Sequence, residues 1–334
     1  MSFASPGSST SSASPMASPS SGSSLPPPDF ELASAYPEVA WVRQAAAAWD
    51  WAALRQYVDS LPPGTDRAFV VRVISEVPGV EQSLRELVAA APYDVFALTV
   101  LGAREIQVGW GIRTAARAEQ VSREQFAAFH ERLREAEKLL IRATALDPTQ
   151  DAAWAERLNT ARGLQLGQNE ARRRYDRLAA HHPHHFTGQA RLLQQLCPKW
   201  GGSWENAHGF ARECLLGAPA GALNGGLVAE THVEHWLDLP AGQERTDYLR
   251  RPHVHAELVE AAERSVSHPE FRRPYGWVTV QGSFAALFSL IGDRARAAEH
   301  FRALGNLASE YPWAYLGKPA EAYVKHRDAA LARG

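Results

Sequence analysis

Residues 122–148 read SREQFAAFHERLREAEKLLIRATALDP, and their spacing decides the fold class. Ser122 followed three residues later by Gln125 is a capping-box start, in which each side chain satisfies a backbone N–H that the helix leaves open. Apolar Phe126, Phe129, Leu133, Ala136, Leu140 and Ala143 then recur at intervals of three and four, one face of a helix. Asp147-Pro148 stops it, because the residue before proline is pushed out of the helical region.

The same pattern runs outward in both directions. It predicts helices over 36–48, 51–60, 66–76, 80–91 and 94–112 on one side. On the other it predicts 151–165, 168–181, 185–196, 203–217, 222–238, 253–267, 276–291, 294–304 and 318–331. Connections such as LPPGTD, LDPTQD and LDLPAGQ carry the Pro, Gly and Asp that break helices. No strand is expected. The nearest to one is YGWVTVQGSF at 275–284, and Phe284, Phe288 and Leu290 continue it as helix.

The helix-ending prolines Pro148, Pro183 and Pro219 lie 35 and 36 residues apart. Before them stand Ala136, Leu140 and Ala143; Ala171, Tyr175 and Leu178; and Ala207, Ala211 and Cys214. The alanine twelve residues before each proline lets two antiparallel helices approach, and the residue four later fills the groove. A Gly–cap–helix junction also recurs, as Gly202-Ser203-Trp204 and Gly292-Asp293-Arg294, with a looser copy at Trp49-Asp50-Trp51. This period and pattern resemble the tetratricopeptide repeat. The resemblance spans about 36–331, lacks most of the W-x-x-L-G half of the consensus, and is interrupted by an insert around 240–252. It implies an all-α superhelix of αα-hairpins, irregular in its second half, as one domain over 31–334. The segment LCPKWGGSWENAHGFAREC at 196–214, with VAETHVEHWLDL at 228–239, also resembles bacterial proteins grouped as domain of unknown function 4034. That resemblance implies no activity.

The chain has 334 residues, a formal charge of -2 and 22% charged residues. Near-neutral charge argues against a nucleic-acid protein, which needs a basic surface to neutralise phosphates. No apolar run is long enough to cross a membrane, and no basic start with an apolar run marks secretion. Two cysteines make no disulfide framework and fit a reducing compartment, so the expected location is the cytoplasm. The bias towards Arg and Ala over Lys is that of a GC-rich bacterial genome. Residues 1–30 are Ser/Pro-rich, with almost nothing to bury, and read as a disordered tail. It is either a flexible tether or an unselected extension, with Met16 as an alternative start.

Five places concentrate chemistry. Glu205, His208 and Arg212 share one face of the 203–217 helix, just after Lys199 and Trp200. This is a ligand-binding face or a solvated charge ladder. Glu230, His232, Glu234 and His235 crowd the 222–238 helix. Two histidines three apart do not make the H-E-x-x-H zinc motif, yet could hold two corners of a metal site with Glu230 or Cys197. The plainer alternative is a helix that packs Ala229, Val233 and Trp236 inward. HHPHH at 181–185 could bind metal or be an exposed loop. Tyr248, Arg250, Arg251 and the histidines after them could clamp an acidic group, and they lie in the insert. Glu310–Tyr315 reads as an aromatic patch or as a cap on the last hydrophobic face.

No Walker, dinucleotide, nucleophile-elbow or C-x-x-C motif occurs, so no catalytic residue, metal or cofactor is expected. The expected function is a module that binds a peptide or partner protein in a concave helical groove. The expected binding residues are Trp200, Glu205, His208, Arg212, Glu230, His232, Glu234, His235, Arg250 and Arg251. The alternative is an enzyme or small-ligand sensor with a site built from 199–236, and a third is a purely structural scaffold. Convergence of His208, Glu230, His232 and His235 in one pocket separates the second from the first.

Overall fold

A computed structural model describes residues 25–114 and 120–332. Residues 1–24, most of the expected tail, lie outside the described residues. The chain is all-α. After α1 (Leu32–Ala35) come α2 (Glu38–Ala47), α3 (Trp51–Ser60), α4 (Thr65–Glu76) and α5 (Val80–Ala90). From there helices stack as pairs: α6 (Val95–Arg113) with α7 (Arg123–Leu146), α8 (Asp151–Gly163) with α9 (Gln168–Ala179), and α10 (Phe186–Leu196) with α11 (Trp204–Gly217). Next are α12 (Gly225–Asp238) with α14 (Pro252–Arg264), the short insert α13 (Gln243–Leu249) between them, α15 (Trp277–Ile291) with α16 (Arg294–Leu304), and the closing α17 (Pro319–Leu331). Among the described residues the only β-type pairing is an isolated bridge between Asp29 and Leu307.

The local rules that select these helices are visible at their ends. Ser122 and Gln125 form both halves of the capping box on α7. Ser203, Asp293 and Asp50 each accept a backbone N–H three residues on, at 3.2 Å. Gly201 and Gly292 take the left-handed conformation that ends a helix, at φ +83° and +93°. Gly202 has a different reason: a Cβ there would collide with the carbonyl of Leu196.

All nine residues of the three stripes before Pro148, Pro183 and Pro219 are buried. Leu140 fills the groove opposite Gly102, where a Cβ would meet its Cγ at 2.7 Å. The 275–284 segment, the nearest approach to a strand in the sequence, is turn and helix α15.

Helices α4, α8, α10, α12 and α15 form a continuous inner layer. The two ends of the chain meet across it. Tyr36 and Phe69 pack on Tyr275 with ring centroids 5.2 and 4.3 Å away. The Tyr36 hydroxyl accepts the Gly276 N–H at 2.8 Å. Residues 25–30, grouped with the tail by composition, run along the C-terminal helices. Asp29 exchanges backbone bonds with Asn306 and Ala308 at 2.7 Å, and the Pro26 carbonyl accepts Arg327 Nη1 at 2.6 Å. The inner face therefore lines a central cavity whose wall both parts of the chain complete.

Candidate functional site

Helix α12 divides the chemistry of the molecule between two faces. Its apolar Leu227, Val228, Ala229 and Val233 are buried against its neighbours. Glu230 and Glu234, four residues and one turn apart, face the central cavity, which has a volume of about 790 Å³. His232 and His235 face the opposite way, towards α11, α13 and α14.

On the cavity side, Gln194 of α10 donates to both carboxylates, at 2.8 Å to each Oε1. The two oxygens are thus no further apart than twice that distance. Lys199, on the short 3-10 turn after α10, pairs with Glu234 Oε2 at 2.6 Å. Burial pushes the Glu230 carboxyl up to about 7, against the opposing bond from Gln194. Arg162 of α8 also lines the cavity, its guanidinium over the rings of Trp110 and Trp200 at 5.7 and 5.6 Å. Burial and then the charge of Arg191 bring its pKa down to about 10. Two buried polar atoms on this wall have no hydrogen-bond partner, Arg162 Nε and the Tyr311 hydroxyl. Aromatic side chains from both ends of the chain, among them Tyr36, Phe69 and Tyr315, complete the wall.

On the other side, three imidazoles crowd together. His208 Nε2 meets His235 Nδ1 at 3.0 Å, and His208 and His232 ring centroids are 4.8 Å apart. The Tyr248 hydroxyl from α13 lies 2.8 Å from His232 Nδ1, and Glu257 Oε2 from α14 lies 3.1 Å from His232 Nε2. Trp204 stacks flat on His235 at 4.4 Å. Burial first, then the neighbouring histidines, lowers His208 to about 3 and His235 to about 4. Both rings are neutral near pH 7.

The ten residues singled out in the sequence therefore separate. Trp200, Glu230 and Glu234 line the cavity. His208, His232 and His235 converge with one another and not with Glu230. Glu205, Arg250 and Arg251 are exposed, Arg251 over the Tyr248 ring at 5.4 Å. Arg212 is exposed and pairs with Glu260 at 3.0 Å. In HHPHH, His185 is buried and caps α10 by accepting the Gly188 N–H at 3.0 Å, while His181 and His184 are exposed. Trp313 is fully buried against Phe301 and Tyr323.

Arg162, Gln194 and Glu257 carry no motif. They reach the two clusters through the packing of α8, α10 and α14, which local spacing does not encode. Comparisons with protein-family models, curated proteins and solved structures match nothing to this chain.

Proposed function

We propose that the protein binds a small, partly apolar ligand bearing an amine, held in the central cavity by Glu230 and Glu234. The observation that carries this is the carboxylate pair itself. The two glutamates share one neutral donor, and Lys199 pairs with Glu234 alone, with Arg162 and several aromatic rings on the same wall. A buried charge without a full set of partners is costly, and an incoming ammonium would complete the set. The aromatic walls add cation–π attraction and apolar area. A cavity of about 790 Å³ suits a drug-sized molecule or the amino terminus of a peptide. A partner protein would reach it by presenting a chain end.

The test is a calorimetric titration with phenethylamine and with a short apolar peptide amide, each beside its N-acetylated form. Binding of the free amines, lost on acetylation and in Glu230→Gln/Glu234→Gln, supports the reading. Equal binding of acetylated and free forms, or no binding of either, overturns it.

A further inference from the structure

The reverse face of α12 has no part in that cavity. We propose that His208, His232 and Glu257 form a binding site for a divalent transition metal of the zinc class, joining α11, α12 and α14. One donor atom from each residue lies within 4.8 Å of the other two. His232 Nε2 and Glu257 Oε2 are already 3.1 Å apart. Donors on a zinc ion, at radii near 2.1 Å, stand about 3.4 Å from one another. Bringing the three donors to that spacing takes a small side-chain adjustment, and Glu257, whose side chain is 38% exposed, has room to make part of it. Two imidazoles and a carboxylate are a donor set that zinc accepts.

Two further features fit a metal. Tyr248 and His235 then sit where outer contacts on ligating rings belong, 2.8 Å from His232 Nδ1 and 3.0 Å from His208 Nε2. A hollow of about 150 Å³ beside His208 and Glu257 leaves room for water as a fourth donor. The insert α13, which breaks the repeat, is what delivers Tyr248 to this cluster.

The sequence expectation of no metal rests on pairing His232 with His235, at the wrong spacing for a zinc motif. In the structure the partners of His232 are His208 and Glu257, twenty-four residues before it and twenty-five after.

The test uses untagged full-length chain. Bound metal is counted by mass spectrometry, and the metal-free protein is then titrated with Zn²⁺ and with Co²⁺, read by its visible absorption. The expected result is one equivalent per chain, with an intense band of low-coordinate Co²⁺. Glu257→Gln, isosteric and on an accessible side chain, should fold and weaken affinity at least about tenfold. His208→Ala should abolish binding, and His181→Ala/His184→Ala in the exposed loop should leave it unchanged. Absence of stoichiometric metal binding overturns the proposal. So does metal that survives Glu257→Gln and His208→Ala, or that leaves with the loop variant.

Discussion

Replacing Glu230 by Gln removes the most strongly pH-dependent element of the cavity. The carboxyl ordinarily titrates at 4.5, and burial raises it to about 7 in the folded protein. Below the first value it is protonated in both states and costs nothing. Between the two, the unfolded chain ionises while the folded one keeps its proton, so stability falls as pH rises. Above about pH 7 the whole cost is present. At about 1.36 kcal/mol for each pH unit between the two values, that cost is roughly 3 kcal/mol. Glu230 is only half-buried in the cavity wall, so screening reduces this and about 1–3 kcal/mol is expected. The introduced amide can still accept from Gln194, so the variant loses the charge and keeps the contact. Glu230→Gln should therefore match the wild type near pH 4 and exceed it by about 1–3 kcal/mol near pH 8. The buried His185 and His300 and the half-buried His208 and His235, lowered to about 3, 4, 3 and 4, act in the opposite sense in both proteins. Only the difference between the two proteins is diagnostic. Urea midpoints across this range measure it. A difference constant with pH, or a variant less stable near pH 8, would refute the reasoning.

Glu137→Ala should destabilise by about 3 kcal/mol in urea unfolding, because it strips the counter-charge from Arg157 and Arg174 in the interior. The loss stays at the lower end of such cases since Arg174 keeps Glu170 at 2.7 Å. Gly225→Ala should cost about 2–3 kcal/mol and loosen α12 against α14, since a Cβ there collides with the Ala261 carbonyl and the Ser265 hydroxyl; calorimetric melting checks it. Cys197 and Cys214, both pushed up to about 12 by burial, should ignore a thiol reagent in the native protein. Both should label at once in denaturant, and rapid labelling of the native form would contradict their placement.

The helices are legible in the sequence because their causes are local. Capping by Ser122, Ser203 and Asp293 and the buried stripe through Leu140 and Ala143 depend only on neighbours three or four residues away. The meeting of the chain ends is not legible. Tyr36 and Tyr275 stand 239 residues apart, and nothing in either neighbourhood marks the other. The candidate site is half legible for the same reason. The density of Glu and His on α12 points to the right helix. Which face each residue takes follows from the helical period, but what waits on each face does not. Glu230 reads as a partner for the histidines because it is two residues from His232, and two residues on a helix turn it to the far side. Arg162 and Glu257 arrive from helices that no motif connects to α12.

The central claim is that the carboxylate pair in the cavity recognises an amine. The most direct measurement is a crystal structure with a bromine-labelled phenethylamine, the bromine located by its anomalous signal. The account predicts the label among the aromatic walls, with the amine nitrogen within about 3 Å of a Glu230 or Glu234 oxygen. A cavity left empty, or a ligand whose amine turns away from both glutamates, would contradict it.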